Sequence, residues 1–114
     1  MTPTPKSEQR DLFRGALEMM ILQSLRRQPM HGYALVQHIK QRSNDLLQVE
    51  EGSLYPALQR MRQKGWIKAD WGQTPNNQRA RYYTITAAGR RQLGEQTVGF
   101  SELISAIHRV MGIA

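Results

Sequence analysis

Cysteine is absent from all 114 residues, which excludes a disulfide framework, thiolate chemistry and any cysteine-ligated zinc site. Long apolar runs are missing too. The longest, Met19 to Leu22, is far short of the about 20 residues that a membrane-spanning helix needs. The opening "MTPTPKSEQR" has no apolar stretch of the kind a secretory signal carries. These absences lead to the expectation of a cytoplasmic chain with no membrane partner. Acidic residues are scarce: nine Asp and Glu face sixteen Lys and Arg, for a net charge of +7. The imbalance is local. Between Gly52 and Arg91 lie Arg60, Arg62, Lys64, Lys68, Arg79, Arg81, Arg90 and Arg91, opposed only by Asp70, so this window carries a surplus equal to the whole net charge. Such a patch suits a polyanionic partner, nucleic acid above all, and its plain alternative is a solvated face with no partner.

What is present reads as one small globular domain, with 39% hydrophobic and 22% charged residues. Residues 1–10 are polar with two prolines and read as a flexible arm. From Asp11, which is placed to favour a helix start, Leu17, Met20, Ile21 and Leu25 follow a helical stripe that basic Arg26 and Arg27 and then Pro29 bring to an end. A second helix is expected over 32–42. Leu46, Leu47 and Val49 of the connector beyond it are expected to tuck against the core.

The stretch "EEGSLYPALQRMRQKGWI" (50–67) sets Leu54, Leu58 and Met61 on one helical face, with Pro56 inside the pattern. Proline is tolerated where the first amides of a helix lack partners, so the pattern predicts Ser53 as N-cap, a helix over 54–64 and Gly65 as its stop. The face expected opposite the apolar one holds Ser53, Ala57, Arg60 and Lys64. Beyond Gly65 the period changes to two: "WIKADW" and "RARYYTI" flank the turn-rich "GQTPNNQ", predicting a β-hairpin. One of Tyr82 and Tyr83 should then face the core, and Trp66 and Trp71 read as packing anchors. Thr86 caps a last helix, along which Leu93, Gln96, Phe100, Leu103, Ile107 and Val110 form a seam with one polar break. That seam predicts pairing with a second copy, through Leu93, Phe100, Leu103, Ile107 and Val110; its plain alternative is a helix that only covers the domain core.

The order helix, helix, short helix, hairpin, helix is that of a winged helix-turn-helix, whose third helix enters the DNA major groove while the hairpin lies along the backbone or in the minor groove. The fold class expected is therefore mostly α with a small β-hairpin. A winged helix-turn-helix spans 11–85 and a C-terminal dimerisation helix spans 86–114. No nucleophile with base and oxyanion donors, no paired carboxylates and no glycine-rich phosphate loop occurs, so neither an enzyme nor a cofactor is expected. His31 and His38 stand seven apart, a spacing that allows a metal between helices, but no carboxylate joins them, and His31 reads more simply as a helix cap.

"HGYALVQHI" (31–39), "EEGSLYPALQRMRQKGWI" (50–67) and "RARYYTITAAGRRQL" (79–93), in that order, resemble the signature blocks of the PadR family of bacterial transcriptional regulators. The similarity runs from about residue 14 to residue 112. It implies a dimeric winged-helix regulator, usually a repressor, on an inverted repeat of double-stranded DNA. It also implies recognition-helix contacts from Ser53, Tyr55, Pro56, Ala57 and Arg60, support from Tyr33 and wing contacts from Arg79 and Arg81. The wing tip "TPNNQ" is longer and less charged than in some relatives. Phe100 stands where relatives often carry a tryptophan that lines a flat ligand site between subunits, so a small hydrophobic or aromatic effector there stays an open expectation. A winged helix that binds RNA, stacking bases on Tyr82 and Tyr83, and a basic adaptor for an acidic protein are the rival readings.

Overall fold

Leu17, Ile21, Leu22 and Leu25 recur at helical spacing, and the computed structural model places all four in the core, on the first helix α1 (Lys6–Arg27). The structure describes the backbone of residues 6–113 and the side chains of residues 14–113. α1 begins at Lys6, so Asp11 lies inside it and does not start it. Of the ten residues expected as an arm, 1–5 lie outside the described residues and 6–10 are helical. After α1 come a short strand β1 (Met30–His31), α2 (Gly32–Arg42), α3 (Glu51–Gln63), strands β2 (Ile67–Gln73) and β3 (Arg79–Ile85), and the long α4 (Ala87–Met111). The architecture is mostly helical, with one antiparallel three-stranded sheet in the order β1-β3-β2.

α2 occupies the predicted 32–42, and His31 caps it: the imidazole Nδ1 accepts from the amide of Ala34 at 3.2 Å. At its far end Asn44 and Asp45 both take positive φ, 54° and 65°, and turn the chain sharply. That turn sends Leu46 into solvent, contrary to expectation, while Val49 enters the core.

α3 starts three residues earlier than predicted. Its N-cap is Glu50, not Ser53, and its first carbonyl accepts from both Ser53 and Leu54 amides. Pro56 is thus an interior helical residue, and having no N–H it leaves the carbonyl of Gly52 without a helical partner. Gly52 is exposed, so water can serve that carbonyl, which lowers the cost of the proline. The end is as predicted. Gly65 has φ 76° and donates to Arg62 O, while the next amide, Trp66, donates to Met61 O, closing the helix with paired left-handed-cap bonds.

Tyr83 and Ile67 face the core across the hairpin, and Ile67 pairs in register with Ile85. β1 is a strand that the sequence did not announce: Met30 and His31 pair with Tyr83 and Tyr82. It ties the start of α2 to the hairpin. α4 begins at Thr86, whose hydroxyl accepts from the Gly89 amide as predicted and donates to Gly65 O. It packs on α1, and its buried residues are Gly89 and Leu93. At 25 residues it is about 37 Å long, and the molecule measures 51 Å along its longest axis. Among the described residues no helix is long and apolar enough to cross a membrane.

Candidate nucleic-acid interface

The start of α2, the start of α3 and the hairpin surround one open groove of about 830 Å³. Tyr33 enters it from α2 with 69% of its surface exposed. His31 lies behind it, stacked on Tyr33 at 6.5 Å and edge-on to Tyr82 at 5.3 Å between ring centroids. From α3, Tyr55 leans across to the first turn of α2, where a Cβ on Gly32 would stand 2.8 Å from its hydroxyl. A side chain at 32 would push the Tyr55 hydroxyl out of that place.

The opposite wall is the wing. Trp71 and Arg81 are directly paired across β2 and β3, and Trp71 is 59% exposed, not the packing anchor expected of it. Strand parity puts Trp71 on the side of Ile67 and Ala69, but the hairpin has by then run past the core. The guanidinium of Arg79 lies 4.4 Å from the indole centre and that of Arg81 5.5 Å, so an aromatic plate carries two cations. The buried Nε of Arg81 has no hydrogen-bond partner among the described residues. The tip is tied by Thr74, whose amide donates to Gln78 O and whose hydroxyl accepts from the Gln78 amide, with Asn77 at φ 64°. Among the described residues no Asp or Glu lines the groove. It is a cationic, aromatic trough of the kind that holds a phosphate backbone.

On α3 the structure redraws the exposed face. Ser53, Tyr55, Pro56 and Lys64 are exposed as expected, but Ala57 is fully buried with Leu54, Leu58 and Met61. At about 100° per residue Ala57 falls on the apolar side of Ser53, and a methyl gives no signal of its own to say so. Buried alanine cannot touch DNA. Arg60 is half-buried, and its Nε donates to the buried carboxylate of Glu18 at 3.3 Å, holding α3 on α1. Arg60→Ala should therefore cost about 1–3 kcal/mol of stability by stranding that carboxylate. Urea denaturation reads this directly, and an unchanged midpoint would make the pair dispensable. Lys64 lies over the Trp66 ring at 4.6 Å. Gln59 and Gln63 are exposed on the same helix, and sequence reasoning passed them over. Steps of three and seven residues along the helix from Pro56 would have found both.

The seam on α4 divides. Leu93 is 5% exposed and belongs to this chain's own core, so it is no candidate for an interface. Phe100, Leu103, Ile107 and Val110 are exposed, and Met111 beside them is too.

Residues 21–95 match the model of the transcriptional regulator PadR-like family. A protein of Lysinibacillus sphaericus named Uncharacterized protein X is 32% identical over 101 residues, covering 89% of this chain and 93% of that protein. Among solved structures, a transcriptional regulator from Clostridium thermocellum is 26% identical with a TM-score of 0.79, covering 87% of this chain and 96% of that one. A PadR-like transcriptional regulator from Bacillus cereus is also 26% identical, with a TM-score of 0.76, over 89% and 96% of the two chains.

Proposed function

The chain belongs to the transcriptional regulator PadR-like family, whose members bind DNA, and we propose that it is a cytoplasmic repressor that acts as a homodimer on an inverted-repeat operator. Occupancy of a promoter by two recognition helices would block polymerase sterically. The observation that carries the reading is the acid-free groove, with Trp71, Arg79 and Arg81 on one wall and Tyr33 and Tyr55 on the other. Tyr83 is buried and the Tyr82 hydroxyl donates to Gln73 O, so the two tyrosines on which an RNA reading depends are engaged within the domain. Phe100 is the exposed aromatic of the α4 stripe. A small planar apolar effector seated between it and its symmetry mate would change the spacing of the two recognition helices and release the operator.

In this reading Arg79 and Arg81 contact phosphates, and each neutralised phosphate releases a counterion. Arg79→Ala and Arg81→Ala should weaken a duplex recovered from genomic DNA by the protein itself, and its scrambled version, by similar factors. Each should also flatten the salt dependence by about one unit of slope per half-site. Titrations at several salt concentrations measure both. Unchanged affinity and slope for both variants would remove the wing from the interface, and with it this reading of the groove.

A further inference from the structure

With Leu54, Ala57, Leu58 and Met61 buried, helical geometry fixes which line of α3 stands farthest from the core. At about 100° per residue that line runs through Gly52, Pro56, Gln59 and Gln63. All four are exposed. A helix that lies in the major groove turns this line to the groove floor, where the base edges are. The cations are elsewhere. Arg60 is held by Glu18 on the flank towards α1, and Arg62 sits roughly 60° round from Gln59, on the side of Tyr55. Those flanks face the groove walls, where the phosphates lie. The floor line thus presents no arginine or lysine, and its first hydrogen-bonding side chain after the N-terminus is the amide of Gln59.

We propose that Gln59 is a specificity-determining residue and that it reads adenine, once in each half-site. This rests on the DNA-binding reading above. A glutamine amide both donates and accepts, and adenine alone offers an acceptor, N7, beside a donor, the N6 amino group, in the major groove. Guanine offers two acceptors there, which suit a guanidinium and not an amide. Gly52 and Pro56 bring no competing polar group, so the preceding two turns can approach the bases closely and let Gln59 reach. Gln63 lies about 6 Å further along the same line, farther from the leading end.

The test uses the full chain and a pool of randomised double-stranded 30-mers, from which the wild-type protein, Gln59→Ala and Gln59→Arg each select binders. Wild-type selections should contain an invariant adenine at one position of each half-site. In titrations, replacing that adenine by 7-deazaadenine, which pairs normally but lacks N7, should weaken binding by about tenfold. Gln59→Ala should bind the two duplexes alike and lose the base preference there while keeping the rest of the site. Gln59→Arg should select guanine at the same position. Because Gln59 is exposed, both variants should fold as the wild type does. Selection of the same adenine by Gln59→Ala would overturn the assignment while leaving the DNA-binding reading intact. A wild-type selection with no enriched sequence would overturn both.

Discussion

Gly89→Ala should destabilise the domain by about 2–6 kcal/mol, a large part of the 5–15 kcal/mol that keeps a protein of this size folded. Gly89 lies in the first turn of α4, and a Cβ there would collide with the carbonyl oxygen of Trp66 and stand 2.9 Å from Ile85 Cγ1. The obstacle is backbone, so no side-chain rotation relieves it. To clear it α4 must retreat by about 1 Å. The same Trp66 carbonyl accepts from the Thr86 amide at 3.0 Å, and the Thr86 hydroxyl donates to Gly65 O, so a retreat breaks the bonds that dock the helix. Overpacking of this kind costs about 1–3 kcal/mol, and each lost hydrogen bond about 0.5–1.5 kcal/mol. Gly94→Ala provides the control in the same helix. Among the described residues nothing lies within 4 Å of its Cβ position, so the helix preference for alanine should raise stability by up to about 1 kcal/mol. Thermal unfolding followed by circular dichroism should show a melting point lowered by about 10 °C or more for Gly89→Ala alone. Equal melting points for the two variants would mean that α4 is not docked on the Gly65–Trp66 turn.

That glycine was invisible in the sequence as a constraint, whereas Gly65 was not, and the difference is physical. Gly65 ends a periodic stripe, and the left-handed conformation that ends a helix has a local signature. Gly89 is required by a tertiary approach of two segments more than twenty residues apart, which no local pattern encodes. The same division runs through the fold. α2, the hairpin and the Thr86 cap follow from periodicity and turn chemistry, which act within a few residues. β1 is two residues long, too short to display a period, and exists only because β3 offers it an edge. Pro56 misled the placement of α3 because the rule for first-turn prolines rests on the missing N–H, and here the carbonyl that loses its partner belongs to exposed Gly52, where water can replace the bond.

The candidate interface was legible to a similar depth. Tyr33, Tyr55, Arg79 and Arg81 share one groove, because each stands next to a helix start or a turn that the sequence marks. Arg60 was legible as a cation but not as a committed one: its partner Glu18 is 42 residues away, and charge patterning along one helix says nothing of a carboxylate on another. Trp71 reads as a packing anchor in the sequence but is exposed, since strand parity sets which face a residue takes and not whether anything covers that face.

Phe100→Glu and Ile107→Glu should each split the proposed dimer into monomers, because the far half of α4 exposes an apolar stripe that the other described residues leave bare. The seam that begins at Leu93 changes partner along its length: Leu93 meets this chain's core, while Phe100, Leu103, Ile107, Val110 and Met111 stand in solvent. Periodicity could not divide the seam, since burial by α1 and burial by a second copy demand the same spacing. A monomer that leaves so contiguous a stripe exposed is prone to association, and two-fold symmetry lets the stripe cover itself. Fully burying one Phe or Ile side chain is worth about 1.5–3 kcal/mol, and each substitution acts twice in a symmetric pair. Burying a carboxylate in place of each adds to the loss, so the dimer dissociation constant should rise by roughly four orders of magnitude. Operator affinity should fall by about 10²–10⁴, because each half-site then binds without the effective concentration that its twin supplies. Sedimentation velocity across a range of concentrations reads the first effect, and titration of the selected duplex reads the second. Helical circular dichroism like that of the wild type would show that the variants have separated rather than unfolded. Dimers that persist in both variants at micromolar concentration would place the interface away from α4, and Phe100 with its effector reading would go with it.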